Sequence, residues 1–253
     1  MFVEPRAAAS LRTGLPIIAL LTSLTVGGLT VAAHAPVRPP PPLEPVAGRV
    51  TTLLSPPSLD PDVLLLALGA TACAETRGLL DAPGTLTVID YSKPSTDPRL
   101  WVLDLDSGQT LFEEVVAHGQ GSGGNRARWF SNTPDSHQSS LGLFVTGETY
   151  VGENGYSLRL EGLEPGINDH ARARAIVMHG APYVDPLAAR QTGRLGRSWG
   201  CPAVRPAVAR RLIDRIRGGD PIFAYYPDER WASGSTFLSP CSPASAGHAA
   251  TRL

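Results

Sequence analysis

A cysteine and a histidine in two short motifs are the residues of this chain best suited to covalent chemistry. Cys201 lies between Gly200 and Pro202, in a loop just ahead of a predicted helix. A thiol near a helix N-terminus is expected to favour the thiolate, and amides around it can face a developing oxyanion. His179 ends an apolar, strand-like run and is followed by glycine. We therefore expect His179 to enter a cleft as the base for Cys201.

Other uses of these residue types have to be weighed against catalysis. A Gly-Cys-Pro segment is more often a turn with a buried thiol, and a histidine at a strand end is often structural. Zinc is disfavoured, because Cys201 has no second cysteine at ligand spacing and the six histidines show no HxxxH or HxH pattern. The glycines that follow His118 are too irregularly spaced for a nucleotide loop. We predict no metal and no cofactor.

Composition excludes one class of partner and restricts the cysteine chemistry. The formal net charge is −1 and Lys93 is the only lysine, so electrostatic binding to nucleic acid has no support. The three cysteines are odd in number, so at least one thiol stays unpaired within the monomer. A bridge between Cys73 and Cys241, which leaves Cys201 free, is the pairing to test, although Cys73 also suits a plain core position.

The two ends of the chain differ in amino-acid composition from its centre. Arg6 and Arg12 precede an apolar stretch, Leu15 to Val31, that ends in small residues. This order predicts a signal peptide or N-terminal anchor over residues 1–33, and hence export to the periplasm or cell envelope. Membrane contact is expected only through this segment, if it is not cleaved. We expect a Pro-rich linker over 34–59, a catalytic domain over 60–230 and a flexible tail over 231–253.

The central region is predicted to be mainly β. Short apolar runs separated by turn residues predict strands, and two segments predict helices, one of which starts at Asp60. The expected strands are Thr85–Tyr91, Leu100–Leu105, Thr110–Val116, Leu141–Thr146, Tyr156–Leu160, Ala173–Met178 and Pro221–Tyr226, and the expected helices are Val63–Ala74 and Pro206–Arg217.

The motifs taken together resemble a known family. The chain reads Ile-Asp-Tyr-Ser at 89–92, Val-Ala-His-Gly at 116–119, Phe-Ser-Asn at 130–132, Ser-Ser-Leu-Gly at 139–142, Val-Met-His-Gly-Ala at 177–181 and Gly-Arg-Ser-Trp-Gly-Cys-Pro at 196–202. This pattern is similar to that of the YkuD-type L,D-transpeptidases, in particular the subgroup of murein L,D-transpeptidase catalytic domains. The resemblance runs from about Asp81 to Tyr226, so it is far more specific than one short motif.

The resemblance implies a fold, a reaction and a set of roles. It implies an L,D-transpeptidase-like β-sandwich with a few helices, in which Cys201 and His179 face each other. Ser198 would order the cysteine loop, and the backbone amides of Trp199, Gly200 and Cys201 would form the oxyanion hole. Peptidoglycan stem peptides would acylate the thiol and then be joined in 3→3 cross-links. Carbapenems would acylate the same thiol.

Four residues are predicted to contact substrate at the rim of the cleft. They are His118, Arg197, Ser131 and Asn132, of which Ser131 and Asn132 lie on a polar segment that the resemblance places at the rim. Arg174 could also bind a stem carboxylate, but we expect it to form a surface ion pair.

The chain departs from the commoner family signature at two places. Trp199 stands where that signature has histidine, and Pro202-Ala203 stands where it has a basic or amide residue. These departures leave open an L,D-carboxypeptidase, in which water resolves the same acyl-enzyme. A non-catalytic cell-wall-binding module is an alternative from another class. A cysteine amidase or endopeptidase of different fold is disfavoured, because such enzymes usually place the cysteine before the histidine in the chain, but it also stays open.

Overall fold

The computed structural model describes residues 56–241, and its centre is one mixed eight-stranded β-sheet. The strands are β1 (Thr85–Asp90), β2 (Leu100–Asp104), β3 (Thr110–Glu114), β4 (Gly142–Gly152), β5 (Gly155–Gly162), β6 (Val177–Gly180), β7 (Ala203–Val204) and β8 (Pro221–Tyr225). The helices are α1 (Pro61–Thr76), α2 (Pro186–Thr192), α3 (Pro206–Ile216) and α4 (Glu229–Gly234), with a 3-10 turn at Gln120–Ser122. The mainly β class with a few helices is confirmed.

The order of strands in the sheet brings distant parts of the chain together. The order is β3-β2-β1-β8-β4-β5-β6-β7, so the last strand in sequence lies at the centre. β8 is parallel to β1 and antiparallel to β4, and β6 is parallel to β7. The short β7 forms one edge, where His179 pairs with Ala203. That edge joins the histidine motif to the segment that follows the cysteine motif.

The helix α1 begins as the sequence predicts. The Asp60 side chain accepts a hydrogen bond from the Asp62 amide at 2.8 Å, and Pro61 occupies the first turn. Ten of its residues are buried, and the helix packs on β1 and β8. A disulfide joins Cys73 in this helix to Cys241, with the two Cα atoms 5.5 Å apart, and leaves Cys201 as the free thiol.

The folded region extends beyond the predicted domain boundary. We expected the tail to begin at residue 231, but Trp231 lies in α4 and is buried against Phe223. Phe237 is also buried, and the disulfide holds Cys241. Apolar burial and the covalent link therefore extend the packed region to residue 241.

Other differences from the predicted elements follow from local conformation. Residues Ala173–Ala175 form a turn and not the start of a strand, because Ala175 has a left-handed φ of +53°. The helix predicted from Pro206 is confirmed as α3, with Val208, Leu212 and Ile213 among its buried residues. The helix α2, which was not predicted, starts after Asp185, whose side chain caps it.

The predictions for the chain ends lie largely outside the described residues. The predicted signal segment, residues 34–55 of the predicted linker and the last part of the predicted tail are among them. Between residues 56 and 241, none of the helices has the length and apolar character needed to cross a bilayer.

Candidate active site

The loop that carries Cys201 is held in shape by Ser198. The Ser198 hydroxyl donates to the Cys201 carbonyl at 2.6 Å and accepts from the Gly200 amide at 3.1 Å. Gly200 has a φ of +121°, and a Cβ there would lie 2.8 Å from the Gln138 carbonyl oxygen and from Ile176 Cδ1. Only glycine fits this position without strain. Ser198 thus bonds to two residues of the cysteine loop, and its ordering role in catalysis stays a prediction.

This hydrogen bonding changes the predicted oxyanion hole. Because the Gly200 amide already donates to Ser198 Oγ, it does not face a substrate in this geometry. Among residues 56–241 the amides of Trp199 and Cys201 have no such backbone or hydroxyl acceptor. These two amides therefore remain as candidate oxyanion donors.

The thiol of Cys201 lies against the entry to β6. Sγ accepts from the Val177 amide at 3.5 Å and donates to the Ala175 carbonyl at 3.7 Å. The side chain is mostly enclosed, with the residue 9% exposed. Burial raises the pKa of the Cys201 thiol above its ordinary value of 9.0, while the Val177 amide and the Arg174 charge lower it.

The expectation of a thiolate favoured by the α3 dipole is wrong for this resting geometry. The strand β7 separates Cys201 from α3, which starts five residues later at Pro206. The effect of a helix dipole falls off within the first turn, and desolvation of the thiolate dominates instead. A pKa raised above 9.0 favours the protonated thiol of Cys201 near pH 7.

His179 is buried and neutral, with one ring nitrogen already committed. Its Nδ1 donates to the Gly180 carbonyl at 3.1 Å, which leaves the lone pair on Nε2 to act as a base. Burial lowers the pKa of His179 below its ordinary value of 6.5. A Cβ at Gly180 would lie 2.8 Å from Ala209 Cβ, so glycine permits α3 to pack closely behind the histidine.

The thiol of Cys201 and the imidazole of His179 both adjoin strand β6. Cys201 contacts the first residue of β6, and His179 is the third residue of the same strand. A neutral imidazole with a free lone pair can accept the proton of a thiol that does not ionise by itself near pH 7. The arrangement suits attack of sulfur on a carbonyl carbon.

Comparison with known proteins now bears on this site. The model of the L,D-transpeptidase catalytic domain family matches residues 55–225, well over half of the chain. This chain belongs to the L,D-transpeptidase catalytic domain family. None of the curated protein sequences matches it.

Solved structures similar to this L,D-transpeptidase domain share little sequence with it. They include an L,D-transpeptidase from Mycobacterium smegmatis (16% identity, TM-score 0.35, 57% of this chain and 59% of that one). They also include the L,D-transpeptidase LdtMt1 in complex with imipenem (16% identity, TM-score 0.35, 56% of this chain and 59% of that one). A third is a point mutant of the helical cell shape determining protein Pgp2 from Campylobacter jejuni (13% identity, TM-score 0.40, 59% of this chain and 49% of that one). The chain covers less than two thirds of the length of each of these three proteins.

The predicted substrate residue His118 lies beneath the cysteine loop of the L,D-transpeptidase domain. Its ring is fully buried, and Nδ1 accepts from Arg99 Nη2 at 2.8 Å. Burial, together with the Arg99 charge, lowers the pKa of His118 to about 3. Its carbonyl accepts from the Ser198 amide at 3.0 Å. The backbone of His118 thus supports the cysteine loop, while its ring has no exposed surface in this geometry, and its contact with substrate stays a prediction.

The other three predicted substrate residues occupy different surroundings. Arg197 donates to the Gly123 carbonyl at 2.8 Å and so braces a neighbouring loop. Asn132 bonds to Asp169 at 2.7 Å and, with Ser131, lines a cavity of about 410 Å³. Cys201 is not among the residues that line this cavity. Contact of Arg197, Ser131 and Asn132 with substrate stays a prediction.

Two features near Cys201 were not predicted from the sequence. Trp199 is 71% exposed, and its ring stacks on His137 with centroids 4.8 Å apart. Arg174, expected to form a surface ion pair, instead lies half-buried beside the cysteine loop. Neither pairing has a signal in local sequence, because the partners lie more than 25 residues apart. Within residues 56–241, no cluster of three or more metal-ligating side chains occurs.

Proposed function

We propose that this L,D-transpeptidase domain joins peptidoglycan stem peptides through a thioester on Cys201. The observation that carries the proposal is the placement of the free thiol on the first residue of β6, the strand that also presents neutral His179. Membership of the family supports the reaction class. The cysteine nucleophile and the 3→3 linkage are the finer parts of the proposal.

The first half-reaction acylates the enzyme. His179 Nε2 takes the thiol proton as sulfur attacks the carbonyl after the third residue of a tetrapeptide stem. The negative charge that forms on the carbonyl oxygen faces the amides of Trp199 and Cys201. The C–N bond then breaks, the imidazolium returns its proton to the departing amine of D-alanine, and a thioester remains on Cys201.

The second half-reaction decides between two products. An amine from a second stem attacks the thioester, His179 accepts the proton of that amine, and the thiol is restored with a new 3→3 cross-link. If water attacks instead, the product is a tripeptide stem and the enzyme acts as an L,D-carboxypeptidase. A wall-binding module without turnover has no use for a free thiol that adjoins the strand carrying a neutral histidine.

The proposed location is the periplasm or cell envelope. The order of residues in the N-terminal segment supports export, and the disulfide between Cys73 and Cys241 suits an oxidising compartment. Fractionation of expressing cells, followed by mass determination of the mature N-terminus, tests this proposal. Recovery of the full-length chain only from the cytoplasm would contradict it.

Carbapenems are proposed to acylate the same thiol. Their strained lactam carbonyl is an electrophile that a Cys201 thiolate can open, and the imipenem complex of LdtMt1 concerns a protein similar to this one. Intact mass of the domain incubated with imipenem should rise by one adduct. The Cys201→Ala variant should stay unmodified, and an adduct on that variant would place the reaction elsewhere.

The decisive experiment uses disaccharide-tetrapeptide fragments of cell wall and the purified protein, beside Cys201→Ala. A Cys201-dependent dimer indicates transpeptidation, and loss of one alanine without dimer indicates the carboxypeptidase. Products that persist in Cys201→Ala would refute covalent catalysis at this residue. Unchanged substrate, together with a failure of imipenem to label Cys201, would favour the binding module.

A further inference from the structure

A cation lies directly behind the loop that carries the nucleophile. The guanidinium of Arg174 is half-buried, and a Cβ placed on Gly200 would lie 3.5 Å from its Nη2. Arg174 also immediately precedes Ala175, whose carbonyl accepts the thiol of Cys201 at 3.7 Å. Arg174 therefore adjoins the cysteine loop in two ways, through its side chain at Gly200 and through the Ala175 backbone that follows it.

The donors of this guanidinium are engaged by neutral oxygens. Nη1 donates to the Ser131 carbonyl and to Ser140 Oγ, both at 2.7 Å. Nη2 donates to Ser136 Oγ at 3.2 Å and to the Gln138 carbonyl at 2.6 Å. These bonds hold the segment 131–140 against the cysteine loop. They also leave both terminal nitrogens fully occupied, so Arg174 is not arranged to clamp a substrate carboxylate.

The charge of Arg174 is not neutralised by an acidic side chain. Within residues 56–241, no Asp or Glu oxygen lies within 4.0 Å of its nitrogens. Arg172, two residues earlier, is exposed and forms ion pairs with Glu148 and Glu161. An unpaired cation in a partly desolvated position acts on its neighbours more strongly than a paired cation at the surface. The contrast makes Arg172 a matched control.

Among the titratable groups that the structure describes around the Cys201 thiol, Arg174 is the one that carries positive charge near pH 7. His179 on β6 is neutral, because burial lowers its pKa. Tyr91, after β1, and Tyr183, after β6, are neutral phenols, and burial with the nearby cysteine raises the pKa of Tyr183 to about 12. Arg174 lies in the turn before β6 and carries a permanent charge.

We propose that Arg174 is a positioning residue whose unpaired charge stabilises the thiolate of Cys201 while its hydrogen bonds hold the 131–140 segment against the cysteine loop. The inference rests on the proposed function for its purpose, since a thiolate is needed for acylation. Its electrostatic part concerns only the thiol and does not depend on any cell-wall substrate.

Alkylation by iodoacetamide across a pH series, read by intact mass, tests this inference on the folded protein. Cys201 is the only thiol once Cys73 and Cys241 are bridged, so one adduct reports one site. In Arg174→Gln we expect the midpoint of alkylation to rise by about one pH unit, which is about tenfold less thiolate at a given pH. Arg172→Gln should keep the wild-type midpoint. Equal midpoints for these two variants would overturn the inference.

A second pair of variants leaves the guanidinium in place. Ser136→Asp puts a carboxylate beside Arg174 Nη2 and should raise the midpoint in the same direction as Arg174→Gln, whereas Ser136→Asn should not. This pair decides the matter if Arg174→Gln fails to fold. Matching midpoints for Ser136→Asp and Ser136→Asn would refute the role of charge.

Arg174→Lys separates the two parts of the proposed role. It keeps the charge but cannot make four hydrogen bonds, so we expect a midpoint near that of wild type with slower acylation by imipenem. A midpoint as high as that of Arg174→Gln would overturn the electrostatic part. If wild-type protein alkylates as expected but yields no cell-wall product, the proposed function fails while the inference about the thiol stands.

Discussion

Removing the disulfide between Cys73 and Cys241 should destabilise this domain strongly. The bond links α1 to the end of the described chain, with a sequence separation of 168 residues. In the chain-entropy model, the stabilisation grows with the logarithm of the loop that the bond closes, and a loop of this size gives about 17 cal/mol/K, or about 5 kcal/mol at 25 °C. A domain is usually stable by only about 5–15 kcal/mol, so the expected loss is a large share of the total.

Urea unfolding of oxidised and reduced protein measures this loss directly. Trp101 and Trp231 are both buried, so their fluorescence should report the transition. We expect the Cys73→Ala/Cys241→Ala variant to show the same lowered free energy of unfolding as reduced wild type. Cys201→Ala should behave as wild type does in both states, because Cys201 is not in the bridge.

Two results would refute this reasoning. A free energy of unfolding that changes by less than about 1 kcal/mol on full reduction would mean that the bond does not restrict the unfolded chain as the model requires. Mass analysis that shows a bridge to Cys201 in the native protein would mean that the pairing itself differs from that of the structure.

Three further predictions concern the site itself. Ser198→Ala removes two hydrogen bonds of the cysteine loop, each worth about 1–1.5 kcal/mol, and should slow acylation of Cys201 by imipenem by about 30-fold to about 160-fold. An unchanged rate in stopped-flow measurements would refute the role of Ser198. Gly200→Ala forces a Cβ to within 2.8 Å of the Gln138 carbonyl oxygen at a φ of +121°, so we expect a lower melting temperature and loss of acylation. A variant with wild-type values for both would contradict this geometry. The pH profile of acylation should show an acid limb below pH 6.5, because the base is lost only as pH falls through the lowered pKa of His179; an acid limb at pH 7 or above would exclude His179 as that base.

Much of the fold was predictable because its signals are local. Alternation of apolar runs with turn residues predicts the strands, and the Asp60-Pro61 start and the proline at 206 predict two helices. Two local features were not predicted, because their sequence signals are weak. The α2 helix is short and mostly exposed, and Ala175 takes a left-handed conformation that no residue preference favours.

The sequence by itself determined which chemistry this chain is suited to. A cysteine between glycine and proline, and a histidine before glycine at the end of an apolar run, marked Cys201 and His179 as candidates, and the resemblance of the surrounding motifs favoured catalysis over a buried thiol. Ser198 could be predicted as part of the cysteine motif, since both hydrogen bonds of its hydroxyl are to residues within three positions of it.

Only the tertiary structure decided how the neighbours of these residues act. The Gly200 carbonyl accepts from Ser139, 61 residues away, and Arg174 reaches back 43 residues to Ser131, so no local pattern announces either contact. Burial, which encloses the His118 ring and raises the pKa of the Cys201 thiol, is likewise a property of the packed sheet. Desolvation depends on what surrounds a group in space, and neighbours in space are chosen by the fold.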